Sequence, residues 1–452
     1  MPSKSVFSRS TRKFAISSHA ALALVLASGG IVAGGLAVPS AVHAQDADTS
    51  RDFTKAAQDV VGSVNALKER ADLPPVQQQY DSATTDAARQ QATTQLLGMV
   101  SAERQAVAGL ESAIKTEGDR NLYGQLVYLV GVAARAPTLL AEGLGQQLDS
   151  GLIPEAEQQR YAWDAGRFFF GANEHAKAVK YLDIAIAKNP GDMTAVSLKA
   201  EAMAKGGATD DGLNYLRDAL KAAKNAGQPA AVDVYKRGIF IAQEEQNIPQ
   251  MVALSSDMVE AHPTKENWTL ALDVLRQASR YPDPELLDLF RLMQRTDGFG
   301  SENDIKEYVE LADKTGLPGE VLLVLDRTAN SPLRSNGDQY YADYRKLAED
   351  KAAVDRRDLP AAKKDAEAAS ASAQSIANTA DAFLSYGDSE TAEALYRAAL
   401  AKEGGDRDRI LTRFGIVLLD QGKVEEAKSM LSQVGGARAP LARLWLVYAD
   451  SQ

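Results

Sequence analysis

Apolar side chains recur along most of this chain at intervals of three and four residues, which is the spacing of one face of an α-helix. Between Leu96 and Ile114, for example, successive apolar positions are separated by four, seven, three and four residues. Alternation with a period of two, the pattern of a half-buried strand, is scarce, and the good helix formers Ala, Leu, Glu, Lys, Gln and Arg are abundant. The pattern predicts an all-α fold.

Two amphipathic segments precede residue 121. The first has Phe53, Val60, Val64 and Leu67 on one face, and we expect Leu73-Pro74-Pro75 to end it, because proline lacks an amide hydrogen and restricts the residue before it. The second segment runs from Leu96 to Ile114. The two could dimerise as a short coiled coil or pair within the chain, and we predict an N-terminal helical hairpin.

The stretch from Leu122 to Ala134 is apolar around most of its circumference. A helix of this kind is buried between neighbouring helices. It is too short to cross a bilayer, which needs about 20 apolar residues.

Residue types recur after 34 residues between positions 159 and 224. A fixed period of this length is typical of an array of helix–turn–helix units. Small residues let the two helices of a unit approach each other, and larger ones fill the seam between them. The small pairs are Gly166 with Ala200 and Ala178 with Gly212, and the larger pairs are Phe169 with Met203 and Leu182 with Leu216.

A similar pattern recurs at the C-terminal end with a period of 35, where Gly387 corresponds to Gly422 and Ala392 to Ala427. The segment Tyr386–Leu400 resembles the turn and second helix of a tetratricopeptide repeat, and so do Gln421–Ala427 and Gly171–Pro190. Trp is usual at one first-helix position of that family, whereas this chain has Ala162, Val196, Ile376 and Leu411 there. The resemblance implies an α-solenoid of antiparallel helix pairs that binds other macromolecules.

These patterns together predict the order of domains. The segment 340–372 is strongly charged and rich in alanine, so we expect a solvated helix pair with a thin core that allows flexure. The predicted order is a signal peptide at 1–44, an N-terminal helical region at 45–120, tetratricopeptide-like repeats at 121–339 that are clearest at 159–226, a charged helical connector at 340–372, and a C-terminal pair of repeats at 373–452.

The first 44 residues have the layout of a secretory signal peptide. Four basic residues up to Lys13 precede an uncharged apolar stretch from Ala20 to Val38, and Val42-His43-Ala44 provides small residues for cleavage after Ala44. A retained membrane anchor is the alternative, although four glycines weaken the stretch as a spanning helix. We expect a periplasmic or secreted protein without integral membrane association after cleavage.

Charge and cysteine content exclude some classes of site and disfavour nucleic acid as a partner. The chain has no cysteine, which excludes disulfides, thiolate metal sites and cysteine nucleophiles. Its net charge is −11, and removal of the basic signal would make the remainder more acidic still. An acidic surface is a poor partner for nucleic acid, which rewards clusters of Lys and Arg.

Catalytic signatures are missing from the sequence. Beyond Ala44 the only histidines are His175 and His262, in different repeats, and no Gly-x-Ser-x-Gly elbow, phosphate-binding Gly-x-x-x-x-Gly-Lys loop or His-Glu-x-x-His helix occurs. Adjacent carboxylates such as Glu425-Glu426 point about 100° apart on a helix, so they are best explained as solvated faces. We expect no catalytic residues, no metal site and no cofactor.

The resemblance places the binding surface on the first helix of each repeat. The matching positions are Trp163, Arg167 and Phe170, then Ser197 and Glu201, then Ala377 and Asp381, then Thr412 and Ile416. Among these we choose Trp163, Arg167, Phe170, Glu201 and Asp381 as candidate partner-binding residues. The Lys and Asn with which family members grip a terminal carboxylate are absent, and the aromatic run Phe168-Phe169-Phe170 serves either repeat packing or a ligand.

These features predict a scaffold that binds a protein or peptide segment, in cell-envelope assembly or maintenance. An alternative is a carbohydrate- or cell-wall-binding accessory protein, in which Trp163, Tyr340 and Tyr341 would stack on sugars. A hydrolase within 231–340 is a third possibility, but that region lacks nucleophile and metal signatures.

Overall fold

The computed structural model describes residues 49–335 and 337–452. The predicted signal peptide at 1–44 lies outside these residues. The described part of the chain contains 22 α-helices and no strand, so the all-α prediction is confirmed. None of these helices is long and apolar enough to cross a membrane.

Contacts divide the chain into two compact units that meet between Glu245 and Gln246. The sequence-based boundaries at 120, 339 and 372 concern repeat type and stay a prediction. Unit 1 contains α1 (Arg51–Ala66), α2 (Leu73–Ser82), α3 (Asp86–Met99), α4 (Ser101–Ala108), α5 (Glu117–Ala134), α6 (Pro137–Asp149), α7 (Glu155–Gly171), α8 (His175–Lys188), α9 (Met193–Lys205), α10 (Thr209–Asn225) and α11 (Val232–Glu244). Unit 2 contains α12 (Ile248–Ala261), α13 (Lys265–Ser279), α14 (Asp283–Arg295), α15 (Glu302–Lys314), α16 (Pro318–Arg327), α17 (Gln339–Ala366), α18 (Ala373–Ser385), α19 (Ser389–Leu400), α20 (Arg407–Asp420), α21 (Val424–Leu431) and α22 (Ala439–Asp450).

The N-terminal region is divided more finely than the predicted hairpin. It forms four helices, α1 to α4, with α2 against α3 and α4 against α1 and α5. Pro74 and Pro75 lie in the first turn of α2, so they begin a helix there, and α1 has already ended at Ala66. Proline suits this place because the first amides of a helix have no intrahelical partner.

Helix α5 is buried on most sides, as its apolar circumference predicted. Thr116 and Asp119 form a capping box at its start, and the fully buried Asp119 also accepts a hydrogen bond from the Ser50 amide at 2.7 Å. Helix α6 packs closely on α5, because Gly143 lies where a β-carbon would stand 2.5 Å from the Tyr128 backbone nitrogen.

The 34- and 35-residue periods coincide with helix pairs: α7 with α8, α9 with α10, α18 with α19, and α20 with α21. The turn within each pair has a left-handed residue at the same register position: Asn173, Gly207, Gly387 and Gly422, with φ between 61° and 93°. Glycine fits because it lacks a Cβ, and asparagine tolerates this conformation better than most residues. A shared left-handed turn supports the register read from the sequence.

In unit 2, helices that are far apart in the sequence pack against each other. Helix α12, the first of the unit, packs against α22, the last, and α14 packs against α20. One apolar core therefore contains residues from both ends of the unit, among them Trp268, Phe290, Ile416 and the fully buried Trp445. The inner side of the C-terminal repeats is consequently filled by the chain itself.

The charged connector is one 28-residue helix, α17, and not the helix pair that we expected. Its buried residues are Tyr341, Ala348, Ala352 and Ala366, and the rest of its surface is largely polar. Such a narrow stripe of small residues is covered by α16 and α18, on which α17 packs, so no second helix is needed to bury it.

Candidate functional site

Three successive first helices of unit 1 line one cleft. Helices α7, α9 and α11 enclose a volume of about 290 Å³. Its walls combine aromatic and aliphatic side chains with two arginines and two carboxylates. The lining residues are Trp163, Arg167, Phe170, Thr194, Ser197, Leu198, Glu201, Ala231, Asp233, Val234 and Arg237.

The aromatic run of α7 divides between core and cleft. Phe168 and Phe169 are buried, and the Phe169 ring stacks on Tyr181 with 5.3 Å between centroids. Trp163 and Phe170 are half-buried and face the cleft. They are seven residues apart, which puts them on one face of the helix, two turns from each other. Repeat packing is therefore confirmed for Phe168 and Phe169, and a binding role for Phe170 stays a prediction.

An ion pair between α9 and α11 lines the cleft. Arg237 Nε donates to Glu201 Oε2 at 2.9 Å, and Arg237 Nη2 donates to the other oxygen of the same carboxylate. Only 4% of Glu201 and 9% of Arg237 is exposed. Both carboxylate oxygens thus accept from one guanidinium, and the pair joins α9 to α11.

Two donors beside the cleft have no acceptor. The buried Arg237 Nη1 and Arg167 Nε make no hydrogen bond within the described chain. Arg167 uses its Nη2 on Asp164 at 3.0 Å, and its guanidinium lies 4.6 Å from the centre of the Phe168 ring. Each guanidinium group thus has one buried N–H group from which nothing in the described chain accepts a hydrogen bond.

Four of the five predicted partner-binding residues lie on this one cleft: Trp163, Arg167, Phe170 and Glu201. The sequence reasoning did not include Leu198, Asp233, Val234 or Arg237, three of which lie on α11. That helix falls in the segment 231–263, which lacks the small residues of the repeat. The repeat pattern therefore did not identify α11 as the first helix of the next unit. A usable signal was the acid–arginine spacing, because Glu201 and Arg237 are 36 residues apart, close to one repeat.

The fifth candidate, Asp381, belongs to unit 2 and lies on α18. It is 6% exposed and accepts hydrogen bonds from Tyr396 and from Arg413. Glu201 is buried to the same degree, so the place of Asp381 among the partner-binding residues stays a prediction. The other C-terminal positions that we mapped to a groove, Ala377, Thr412 and Ile416, are fully buried as well.

Asp381 belongs to a buried cluster of charges in which Asp288 of α14 is central. Asp288 is fully buried, and its Oδ1 accepts from Arg291 Nη1 and from Arg413 Nε, each at 2.9 Å. Arg438 Nη1 donates to Asp288 Oδ2 at 2.6 Å. Arg291 also donates through Nε to Glu320 at 2.7 Å, and that carboxylate accepts from the Tyr308 hydroxyl.

The pKa values in this cluster keep Asp288 and Arg413 charged and Tyr396 neutral. Burial acts to raise the pKa of Asp288, but Arg413, Arg291 and Arg438 outweigh it and hold the pKa below its ordinary value. Burial acts to lower the pKa of Arg413, yet Asp288 and Asp381 keep it above its usual value. Burial and the neighbouring Asp381 raise the pKa of Tyr396 well above 10, so that tyrosine stays a donor.

Two of the three residues of the carbohydrate hypothesis, Tyr340 and Tyr341, make contacts within unit 2. Tyr341 is buried, its ring lies under the Arg334 guanidinium at 3.6 Å, and its hydroxyl donates to Glu302. The Tyr340 hydroxyl donates to the Lys306 carbonyl at 3.0 Å, and both tyrosines belong to unit 2 whereas Trp163 belongs to unit 1.

Within residues 49–335 and 337–452, no group of three His, Asp or Glu side chains could hold a metal ion.

Comparisons with known proteins place the chain in no family: no family model matches it, and no curated protein does either. Among solved structures it is similar to one of Naa15/Naa10 bound to HypK-THB, with 11% identity, a TM-score of 0.23, and coverage of 86% of this chain and 70% of that chain. It is also similar to a monomeric mutant of IFIT1 with m7Gppp-AAAA, with 11% identity, a TM-score of 0.22, and coverage of 84% and 87%. The fold description therefore depends on the helix packing of this chain itself.

Proposed function

We propose that this protein is a non-enzymatic scaffold that binds a segment of another protein in the cleft of unit 1. The observation that supports this most directly is the convergence of Trp163, Phe170, Leu198 and Val234 from three successive first helices, beside two guanidinium groups with unused donors. An apolar cleft with a few polar groups is the usual composition of a binding site.

The physics of the cleft favours binding over turnover. Trp and Arg are the residues that most often contribute the largest share of binding energy at protein interfaces. Packing between neighbouring repeats fixes α7, α9 and α11 before a partner arrives, so little conformational entropy is lost on association. The carboxylate at the cleft, Glu201, is fully engaged by Arg237, which leaves it unsuited to general acid or base work.

We further propose that the protein acts outside the cytoplasm, in assembly or maintenance of the cell envelope. The order of basic, apolar and small residues before Gln45 supports export, and a chain without cysteine needs no disulfide chemistry there. N-terminal sequencing of the protein from fractionated cells tests this proposal. We expect Gln45 as the first residue in the periplasmic or secreted fraction, and an intact N-terminus in the membrane fraction would contradict it.

Site-specific crosslinking tests the scaffold function in cells. A photoreactive phenylalanine analogue at position 163 should yield one dominant crosslinked protein, identified by mass spectrometry, and the same label at the exposed Leu152 of unit 1 should not. Arg167→Ala should reduce the yield from position 163, whereas Arg104→Ala, which changes an exposed arginine of α4, should leave it unchanged. Identical crosslinks from positions 163 and 152 would reject the cleft as the binding site.

A further inference from the structure

We infer that the segment bound in the unit 1 cleft is an amphipathic α-helix that presents large aliphatic side chains and at least one carboxylate. This inference depends on the proposed function, and it specifies the chemistry of the partner. Three observations carry it: the helix that covers the equivalent surface in unit 2, the apolar lining of the open cleft, and the unused guanidinium donors beside it.

The chain contains its own example of an occupied surface. Asp381 and Ile416 stand at the repeat position of Glu201, one repeat being 34 or 35 residues. Glu201 is buried as these two are, so the difference between the units lies one turn earlier: Leu198 is half-buried, whereas Arg413 at its register is 3% exposed and contacts α14. The surface that stays open in unit 1 is therefore covered by a helix in unit 2.

The covering helix shows which chemistry such a surface accepts. Helix α14 contributes Leu289 and Phe290 to the core of unit 2 and directs Asp288 at the arginines of the C-terminal repeats. Phe290 faces α15, where it stacks on Tyr308 with 5.5 Å between ring centroids, whereas the Asp288 carboxylate faces the arginines of the C-terminal repeats. Arg413 Nη2 also donates to the backbone carbonyl of Pro284 at 3.1 Å, just inside the start of the helix.

The open cleft offers matching partners for such a helix. Trp163, Phe170, Leu198 and Val234 supply half-buried apolar surface. Arg237 Nη1 and Arg167 Nε supply donors that no group of the described chain accepts from. A carboxylate that reached either guanidinium group would gain charge-assisted hydrogen bonds, which are about twice as strong as neutral ones.

The acidic groups near the cleft limit where that carboxylate can lie. Asp164 is occupied by Arg167, and Glu201 by Arg237, so both are neutralised locally. Asp233 is exposed and lies on α11 among the lining residues. The bound carboxylate should therefore face Arg167 and α7, and a basic residue of the partner could meet Asp233 at the opposite rim.

Selection from a phage-displayed library tests this inference with the full chain as the target. The library holds 15-residue helical peptides in which one face is randomised over all residue types. Peptides that also bind the Trp163→Ala variant of the protein are discarded. We expect enrichment of Leu, Ile or Phe at positions three and four apart together with Asp or Glu. Replacement of the enriched carboxylate by its amide should weaken binding about 10-fold, as expected for a charge-assisted contact.

Two variants make the outcome specific. Arg167→Glu should change the enriched charge from acidic to basic, and Lys221→Glu, on an exposed position of α10, should leave it acidic. Trp163→Ala should weaken a selected peptide about 30-fold, the loss typical of a central aromatic anchor, while Leu152→Ala should have no effect.

Failure of the inference differs from failure of the proposed function. Selected peptides that depend on Trp163 but are basic or rich in proline would overturn the acidic helix and keep the cleft as a binding site. A library from which no Trp163-dependent peptide emerges would count against both.

Discussion

Asp288 Oδ1 accepts a hydrogen bond from Arg413 Nε at 2.9 Å, although 125 residues separate the two in the sequence. This pair joins α14 to α20 and thereby ties the middle of unit 2 to its C-terminal repeats. Both side chains are almost fully buried, so the contact has been withdrawn from water. Loss of one partner would leave uncompensated charge in the core, a larger penalty than loss of a surface ion pair.

Asp288→Asn should therefore lower the free energy of unfolding of unit 2 strongly. Arg291, Arg413 and Arg438 would lose a shared counter-ion while remaining buried, and breaking a buried pair in this way costs about 3–5 kcal/mol. Urea titration followed by hydrogen exchange in unit 2 measures the effect. Asp358→Asn, which removes an exposed pair with Arg357, is the matched control and should leave the free energy of unfolding almost unchanged, because solvent screens such a pair.

Low pH should destabilise unit 2, because it protonates carboxylates whose pKa is lowered in the folded state. Hydrogen bonds from Lys423 and then Arg397 lower the pKa of Glu393 to about 2, and the pKa of Asp288 is also below its ordinary value. A carboxylate with a lowered pKa in the folded state stabilises the fold above its unfolded pKa, and that stabilisation is lost as the pH falls towards its folded pKa.

For Glu393 the unfolded value is about 4.3, so the urea midpoint of unit 2 should fall between pH of about 4.3 and 2. Glu393→Gln should be less stable than the wild type at pH 7 and should show a shallower decline over this window. Parallel curves for the two proteins would show that Glu393 does not contribute. Glu390→Gln, in the first turn of the same helix, is a suitable control.

The helical repeats could be predicted because their determinants are local. Gly166 and Gly415 recur at one register position, and each lies against a leucine of its partner helix, so that a β-carbon there would stand 2.6 or 2.7 Å from that leucine's Cγ. Small residues at fixed intervals are visible in a sequence without any knowledge of the tertiary fold. The same register brought Trp163, Arg167, Phe170 and Glu201 together on one cleft.

The closure of unit 2 could not be predicted in that way. Asp381 occupies the same repeat position as Glu201, but the register does not show that α14 packs on the neighbouring helix α20. Contacts such as Asp288 with Arg413 join residues that no periodicity relates, and polarity alone does not separate a buried ion pair from a solvated one. The connector was misjudged for a related reason: its buried stripe of tyrosine and alanine is too narrow to show how many helices share it.

Two glycine substitutions with opposite expected effects on stability test the close contact between α5 and α6. Gly143→Ala should destabilise unit 1 by about 1–3 kcal/mol, because its β-carbon would lie 2.5 Å from the Tyr128 backbone nitrogen and 2.7 Å from the Gly124 carbonyl oxygen. Backbone atoms of two packed helices cannot move aside without shifting the helices. Thermal unfolding followed by far-ultraviolet dichroism measures the change.

Gly62→Ala is the counterpart, since nothing lies within 4 Å of its added β-carbon and the position is exposed within α1. Alanine loses less backbone entropy than glycine in a helix, so this variant should be more stable by about 0.5–1 kcal/mol. Equal effects of the two substitutions would contradict the close packing of α5 against α6.

Pro360 tests whether α17 is one continuous helix. It lies inside the helix and is exposed, and proline in a helix interior removes one backbone hydrogen bond and costs about 3 kcal/mol relative to alanine. Pro360→Ala should restore an amide that donates to the Arg356 carbonyl. Part of the gain is offset because alanine increases the entropy of the unfolded chain by the equivalent of about 1 kcal/mol. We expect a net stabilisation of unit 2 of about 1–2 kcal/mol.

Hydrogen exchange across residues 352–366 locates the effect of Pro360→Ala, because amides on both sides of the proline should become more protected if one helix runs through it. Pro440→Ala is the matched control, since Pro440 lies in the first turn of α22, where the missing amide has no intrahelical acceptor and the substitution should bring no gain. If residue 360 instead lay at a turn between two helices, alanine would free the unfolded chain without adding a hydrogen bond, and the variant would be less stable than the wild type. The sign of the change therefore distinguishes a single helix from the helix pair that the sequence suggested.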